Sequence, residues 1–235
     1  MEKLCYVLWK PPEMTGDAFR DALLADVAPS LLAGGVRGLS LLAADAEAES
    51  VARARMTHMD DPIAGMLSVW LDSVDDRRSI ETALAPCVRR VAGYLVTESV
   101  PLRNTTHRAP VGSRTPGITM LALLEKPERL ALNDWLALWH DRHSPLAMEI
   151  QCTFRYVRNV VARALTPDAP PWLGLVEEAF PDGAVTDLER WYDAVGNPAK
   201  LRERLGQMVS SVQRFLDLDR VETHPLSELV LRDVA

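Results

Sequence analysis

The chain has 235 residues, a hydrophobic fraction of 48% and a formal net charge of −7 at pH 7. This length is enough for one large domain or two small ones with a real core. The negative charge, and the absence of any run of basic residues, argue against a protein that binds nucleic acid.

The cysteines and the apolar segments indicate the cellular compartment in which we expect the protein. Cys5, Cys87 and Cys152 match neither a disulfide framework nor the spacing of a metal site, which favours a reducing compartment. The N-terminal apolar segment is too short and too soon interrupted for a signal peptide. No apolar run approaches the roughly 18 residues that a membrane-spanning helix needs. We therefore expect a cytoplasmic protein that binds neither membranes nor nucleic acid.

The first half of the chain predicts the element order β-α-β-β-α-β. Short apolar runs bounded by proline, glycine or acidic residues are typical of strands, and Thr15 or Asp17 can cap a helix. The predicted strands cover residues 4–9, 36–43, 64–71 and 94–102. The predicted helices run from about residue 15 to Gly34-Gly35 and from Asp75-Asp76 to about residue 91.

A polar segment with proline and glycine, residues 103–117, then predicts a connector. The second half repeats the element order of the first. Its predicted strands cover residues 118–124, 154–164, 172–180 and 221–231, and its predicted helices cover residues 132–148 and 186–216, the latter broken near Gly196-Asn197-Pro198.

Four pairs of similar residues, one of each pair in either half of the chain and at nearly the same spacing, predict a tandem duplication. Three matches lie 116 residues apart, and a fourth lies 121 apart, as if about five residues had been added near the end of the helix. The predicted units are a first repeat 1–104, the connector 105–117 and a second repeat 118–235. The matches are Lys10-Pro11 with Lys126-Pro127, Phe19 with Trp135, Pro29 with Pro145, and Val36-Arg37 with Val157-Arg158.

Residues 132–148 combine helical periodicity with two tryptophans and two histidines. Trp135, Trp139 and His143 recur every fourth residue and so share one stripe of a helix. His140 lies three residues before His143, which makes the two histidines neighbours on the helix surface. We interpret the tryptophan stripe mainly as core, and both histidines as lying on or beside an apolar face.

The ends and the polar side of this helix can also be predicted. Asn133 is a candidate N-cap, and Pro145 is expected to end or kink the helix just past His143. Asp141 is expected on the solvated side, together with Arg142.

The repeat spacing sets the two histidines apart from the scaffold. At the 116-residue offset, His140 corresponds to Leu24 and His143 to Val27. Leucine and valine would fill these positions if the fold only needed them filled. The difference favours a function carried by the second repeat, although divergence of packing alone is the competing explanation.

The second half resembles the EthD-like family of the dimeric α+β barrel superfamily. The motif is a strand ending in Lys-Pro, a tryptophan-containing helix, His-x-x-His-Ser-Pro-Leu-Ala, and then Tyr-Val-Arg-Asn. Its residues here are Lys126-Pro127, Trp139-His140, His143 to Ala147, and Tyr156 to Asn159.

This resemblance implies an α+β fold of two tandem ferredoxin-like βαββαβ repeats whose antiparallel sheets face each other as a barrel. With both repeats in one chain, the barrel can close within a monomer, and a homodimer is the other expected state. Relatives include dehydratases, decarboxylases, cyclases, monooxygenases and haem binders, so the fold alone does not decide the function.

The histidine pair favours acid–base chemistry over metal binding. Histidine titrates near pH 6.5, so one ring can accept a proton while the other donates one. Zinc needs three or four ligands, and no third ligand is signalled near His140 and His143. A haem role through one histidine is the other alternative, without an attachment motif to support it. We therefore expect no metal and no cofactor.

The sequence predicts a cofactor-free lyase, dehydratase or cyclase that acts on a hydrophobic, oxygenated small molecule of aromatic or polyketide type. His140 and His143 are the predicted acid and base. Trp135, Trp139, Tyr156 and Arg158 are the predicted substrate-binding residues, although core packing and a rim salt bridge are the competing roles for them. The alternative is a non-catalytic protein that binds an apolar metabolite, and a haem-binding or monooxygenase relative is a further one.

Overall fold

Strand pairing closes eight antiparallel strands into one barrel. The structure is a computed structural model that describes residues 1–234. Around the barrel the strand order is β1-β3-β2-β8-β5-β7-β6-β4, and β4 pairs with β1, so the barrel closes within a single chain. The strands are β1 Glu2–Trp9, β2 Gly38–Ala43, β3 Gly65–Leu71, β4 Arg90–Leu102, β5 Ile118–Leu124, β6 Arg155–Ala164, β7 Gly174–Phe180 and β8 Glu222–Arg232.

Helices cover the outside of the barrel in two groups. The first helix layer, formed by residues 16–33 and 78–84, packs on β1–β4. The second helix layer, formed by residues 132–150 and 198–215, packs on β5–β8. The α-helices are α1 Gly16–Ala22, α2 Ala28–Ala33, α3 Ala46–Glu49, α4 Arg78–Leu84, α5 Leu132–Ala137, α6 Ser144–Ile150, α7 Leu188–Trp191 and α8 Pro198–Phe215. One π-helical turn, Leu23–Val27, joins α1 to α2, and another, Leu138–His143, joins α5 to α6; short 3-10 turns span Ala52–Ala54, Val74–Arg77 and Leu218–Arg220.

Two predictions about helix ends are wrong, and Pro145, predicted to end or kink its helix, does not end it. The helix from Asp75-Asp76 does not reach residue 91, because α4 ends at Leu84 and β4 has already begun at Arg90. Asn133 is not the N-cap of α5, since Ala131 occupies that position. Pro145 lies in the first turn of α6, which follows the π-helical turn without a break, and the carbonyl of His140 in the preceding turn accepts a hydrogen bond from Arg158 instead.

The two halves of the barrel have the same strand order, β4-β1-β3-β2 in the first and β8-β5-β7-β6 in the second. Equivalent lysines also have the same role. Lys10 Nζ donates to the carbonyl of Met14 over 2.6 Å, and Lys126 Nζ donates to the carbonyl of Leu130 over 2.7 Å. Each closes the turn between the first strand and the first helix of its half. The Lys-Pro matches in the sequence therefore reflect a local structural requirement.

The match of Val36-Arg37 with Val157-Arg158 is wrong. Arg158 lies opposite Val176, two residues after Gly174, and Leu41 lies opposite Leu67, two residues after Gly65. Counted from these glycines, Arg158 corresponds to Leu41. A spacing rule cannot detect this, because a Val-Arg pair occurs by chance near the start of both strands.

The interior of the barrel contains an apolar cluster, with the buried pair His224–Glu222 beside it. At the opposite end, ion pairs link strands β1, β6, β7 and β8. Glu177 of β7 accepts from Lys3 of β1 over 3.2 Å and from Arg155 of β6 over 2.9 Å. Arg155 also lies 3.0 Å from Glu228 of β8. Glu177 is 1% exposed, so its ion pair with Lys3 links the two halves in a region without bulk water.

We predict that Glu177→Gln destabilises the protein by about 3 kcal/mol at neutral pH, since it removes the carboxylate that Lys3 and Arg155 share. Each cation keeps one other carboxylate, Glu98 for Lys3 and Glu228 for Arg155. Burial by itself would raise the pKa of Glu177, but Lys3 and Arg155 lower it to about 2. A carboxyl group whose pKa is lower in the folded protein than in the unfolded chain stabilises the fold at pH values above the unfolded pKa. This contribution is lost as the pH falls towards the folded pKa. Urea unfolding should therefore show the variant and the wild type converging between about pH 4.5 and about pH 2. A constant difference across that range would contradict the ion-pair assignment.

A second prediction concerns Gly174, which lies beneath both tryptophans. A Cβ at this position would lie 2.7 Å from Trp139 and 3.3 Å from Trp135. We expect Gly174→Ala to cost about 1–3 kcal/mol of unfolding free energy by overpacking. Gly206 in α8 is the matched control, because nothing lies within 4 Å of its added Cβ. Gly206→Ala should stabilise the helix by up to about 1 kcal/mol. Equal effects of the two changes in chemical denaturation would contradict the packing described here.

Candidate functional site

The strand register identifies which positions of the two halves correspond. Gly65 of β3 lies opposite Ala43 of β2, and Gly174 of β7 lies opposite Val160 of β6. Counting residues along the strands from these two pairs assigns each outward-facing residue of the first half to an equivalent residue of the second half. The corresponding pairs are Leu39–Val69 with Tyr156–Glu178, and Leu41–Leu67 with Arg158–Val176.

Six positions that are apolar in the first helix layer are polar in the second. In the first layer five of these residues are buried, and Leu24 is half-buried. In the second layer the same positions place hydrogen-bonding or ionisable groups between sheet and helices. The replacements, first layer to second, are Leu24 to His140, Val27 to His143, Ala28 to Ser144, Leu39 to Tyr156, Leu41 to Arg158 and Val69 to Glu178. The candidate site is this polar group, which we call the second-layer site.

His143 is enclosed between the π-helical turn and α8. Its ring is 8% exposed, its Nδ1 lies 3.1 Å from Ser211 Oγ, and its centroid lies 4.8 Å from that of Phe215. Burial lowers the pKa of His143 to about 4, so the ring is neutral at physiological pH. Its neighbours belong to α8 and not to the sheet.

His140 has different surroundings from His143. Its ring lies against Trp139 at a centroid distance of 4.6 Å, and its Nε2 is buried without a hydrogen-bond partner among residues 1–234. Burial and the nearby Arg158 guanidinium lower the pKa of His140. The ring is therefore neutral at pH 7, and Nε2 is free to accept a proton if the other ring nitrogen carries the hydrogen.

Tyr156, Ser144 and Trp139 form a hydrogen-bonded chain beneath the helices. The Ser144 hydroxyl donates to the carbonyl of Trp139 over 3.0 Å and lies 3.3 Å from the Tyr156 hydroxyl. This carbonyl belongs to the π-helical turn. Tyr156 is 1% exposed, and burial raises the pKa of its phenol. Its hydroxyl thus remains protonated and can donate.

Arg158 lies on the same face of β6 as Tyr156. One of its Nη atoms donates to the carbonyl of His140 over 3.2 Å, and its Nε donates to Ser99 Oγ over 3.2 Å. The guanidinium is half-buried, and it has no carboxylate partner in residues 1–234. The rim salt bridge considered for Arg158 is thus not formed within the described chain.

Glu178 is, with Ser144, one of two residues of this site to which the sequence analysis assigned no role. It lies opposite Tyr156 on the outward face of β7. Burial raises the pKa of its carboxyl to about 7, against a smaller lowering effect of the Tyr156 hydroxyl. Glu177 and Glu178 look alike in sequence, but they face opposite sides of the sheet. Only the register against the first half, where Val69 is apolar, could have signalled the difference.

Trp135 and Trp139 lie in the packed core of the second layer. Both are 0% exposed, and their ring centroids are 5.1 Å apart. The indole Nε1 atoms are buried without hydrogen-bond partners in residues 1–234. The structure thus brings the tryptophans close to His140 and Tyr156, but as buried packing groups.

Two open depressions lie elsewhere on the surface. One, of about 790 Å³, is lined by Arg129 and residues 216–220 among others. The other, of about 460 Å³, is lined by Lys3, Trp70 and Glu98 among others. Neither is lined by a residue of the second-layer site.

Across residues 1–234, no three His, Cys, Asp or Glu side chains are grouped so as to hold a metal ion. Within the same residues, no helix combines the length and the apolar character needed to cross a membrane.

No protein-family profile matches the chain, and no curated protein matches its sequence. Solved structures are similar in fold. An anthrone oxidase-like protein superposes with a TM-score of 0.57 at 8% identity, covering 100% of this chain and 94% of its own. A proposed monooxygenase from Lactobacillus acidophilus NCFM gives 0.52 at 9% identity, covering 98% and 96%. A second, from Fusobacterium nucleatum subsp. nucleatum ATCC 25586, gives 0.52 at 7% identity, covering 98% and 92%. The chain therefore has the dimeric α+β barrel fold.

Proposed function

We propose that this protein is a cofactor-free acid–base enzyme of the cytoplasm, a lyase, dehydratase or cyclase acting on a hydrophobic oxygenated small molecule. We further propose that it arose by tandem duplication of a ferredoxin-like βαββαβ unit, with repeats 1–104 and 118–235 and connector 105–117, and that its second repeat is EthD-like. The second repeat carries the site.

The observation that carries this proposal is the replacement of six apolar positions by polar ones in the second-layer site. The same scaffold buries apolar side chains there in the first half, so packing alone does not require polar groups. An unsatisfied buried polar atom costs about 1–3 kcal/mol. His140 Nε2 has no partner within residues 1–234. Retaining such groups is characteristic of sites that bind or transform a ligand.

His140 is the proposed general base. Its free Nε2 and lowered pKa keep it neutral and able to accept a proton from carbon or oxygen of a substrate. Arg158, whose guanidinium is adjacent, can stabilise negative charge that develops on the substrate.

His143 is better suited to positioning than to proton transfer. A ring with a pKa near 4 is neutral at pH 7, and its Nδ1 is already taken by Ser211. We propose that His143 fixes α8 against the π-helical turn. The proton donor of the site must then be another group.

An apolar substrate fits the remaining surroundings. The indoles of Trp135 and Trp139 and the ring of Tyr156 form an aromatic wall behind the polar groups. On the opposite side, α8 buries only Phe215. Its other inward residues remain half-buried, so α8 is the element that can yield most easily to admit a ligand. These residues are Leu201, Leu205, Met208 and Val212.

The names of the fold neighbours indicate two alternatives. Oxidation of an anthrone-like substrate also begins with removal of a proton, which a base such as His140 can perform. A non-catalytic binding protein would use the same groups without turnover. The assay below separates the non-catalytic alternative from the proposal, because only a catalyst exchanges substrate protons with water.

The assay follows deuterium incorporation into the acetyl methyl group of 2-acetylnaphthalene, an enolisable aromatic ketone, by mass spectrometry in D2O. We expect the wild type to accelerate exchange, and His140→Gln to reduce the protein-catalysed rate by about 100-fold or more. Asp141→Asn is the control, since Asp141 is exposed and lies beside the site. If His140→Gln folds normally and exchanges at the wild-type rate, the base is not His140.

His143→Val tests the positioning role, because valine is the first-half residue at this position. Burial lowers the pKa of His143 to about 4, so the folded state resists protonation that the unfolded chain accepts below about pH 6.5. The wild type should lose about 3 kcal/mol more unfolding free energy than His143→Val between about pH 6.5 and about pH 4. Deuterium exchange at neutral pH should fall less than tenfold. A loss of exchange as large as that of His140→Gln would contradict positioning.

A further inference from the structure

Glu178 is a half-buried carboxyl group that differs in its surroundings from the buried carboxylates of the barrel interior. Glu177 and Glu228 face the barrel interior and pair with Arg155. Glu178 faces the second helix layer, and it makes no salt bridge within residues 1–234. The first half has Val69 at this position, fully buried among apolar side chains. A carboxyl group here therefore replaces an ordinary core residue and gains no cation in exchange.

The groups that face Glu178 can be named element by element. From β6 it faces the Tyr156 phenol, and from the segment after α7 it faces Tyr192. Arg158, the nearest cation along β6, binds the carbonyl of His140 and Ser99 instead. Arg204 of α8 donates to the backbone carbonyls of residues 150 and 192. No charged group thus offsets the burial that raises the pKa of Glu178 to about 7.

Gln151 provides a second, independent observation near Glu178. It is 8% exposed, and its Oε1 atom is buried without a hydrogen-bond partner in residues 1–234. Burial and the charge of Glu178 raise the pKa of Tyr192, whereas a hydrogen bond from Gln151 lowers it. Gln151 and Glu178 thus both lie near Tyr192.

We propose that Glu178 and Tyr156 form the carbonyl-binding end of the second-layer site, and that the ligand is an apolar ketone whose oxygen accepts a hydrogen bond from the Glu178 carboxylic acid. This inference deepens the proposed function and rests on it for the identity of the site. A phenol and a protonated carboxyl both donate, and a ketone oxygen has two lone pairs to accept them. Protonated, Glu178 also avoids the cost of a buried unpaired charge.

With an enolisable ketone, this arrangement supplies the proton donor that His143 does not. His140 Nε2 takes the proton from the carbon next to the carbonyl, while the Glu178 carboxyl gives its proton to the carbonyl oxygen. The products are the enol, the imidazolium of His140 and the carboxylate of Glu178. Reversal restores the ketone after the imidazolium has exchanged with water. No oxidant or other reactant is needed.

The test uses 9-fluorenone, an apolar ketone that can accept but not donate a hydrogen bond and that cannot enolise. Calorimetric titration of the wild type should show an affinity that falls about tenfold or more as pH rises through about 7, when Glu178 loses its proton. Glu178→Gln keeps an N–H donor and should bind with an affinity that does not change over this range. Glu178→Val should bind at least about tenfold more weakly at every pH.

Two further measurements serve as controls, one for correct folding and one for the loss of a negative charge. Glu178→Val restores the apolar residue of the first half, so its urea midpoint at neutral pH should equal or exceed that of the wild type. Glu149→Gln removes an exposed charge from α6 in the same layer and should leave fluorenone binding unchanged. Undiminished binding by Glu178→Val, or a wild-type affinity independent of pH, would overturn the assignment of Glu178.

The two proposals fail in different ways. If fluorenone binding follows the protonation of Glu178 but 2-acetylnaphthalene does not exchange, the carbonyl site stands and catalysis is refuted. If 2-acetylnaphthalene exchanges at the same rate in Glu178→Gln, Glu178→Val and the wild type, catalysis stands and the role of Glu178 is refuted.

Discussion

The structure depends on burying one face of each half-barrel beneath helices. In the first helix layer this burial is almost entirely apolar, and it is the ordinary source of stability for a sheet covered by helices. In the second layer the same geometry encloses imidazoles, a guanidinium, a phenol and a carboxyl. Burial in the second layer lowers the pKa of His143 to about 4, so that its ring is neutral at pH 7. It raises the pKa of Glu178 to about 7, so that about half of this carboxyl group is protonated at that pH.

The π-helical turn shows how scaffold and function can be separated. Such turns are often found at functional sites, and Leu138–His143 carries both histidines of the second half. The first half has a π-helical turn at the equivalent place, Leu23–Val27, without any ionisable group that faces the sheet. The turn therefore belongs to the scaffold. The chemistry lies in which side chains the turn presents, and a comparison of the halves isolates those side chains.

The sequence predicted the architecture better than the site. Seven of the eight predicted strands overlap their observed ranges closely, because strands of this barrel are short apolar runs between clear breaks. The exception, β4, begins four residues earlier than predicted, since the preceding helix was predicted to run to about residue 91 but ends at Leu84. His140 was recognisable because its helix has a fixed spacing from the first half. Glu178 was not, because its meaning depends on strand register, which local periodicity does not fix.

Closure of the barrel within one chain allows the two halves to differ. The ion pair of Glu177 with Lys3 ties the second half to the first through the barrel interior. Since both layers belong to one cooperative unit, apolar burial in the first layer can therefore offset the instability that unpaired polar groups cause in the second. Two identical subunits would not have this freedom, since each polar replacement would occur in both layers at once. Asymmetry between the layers is thus the consequence expected when a barrel with a destabilising site is built from a single chain.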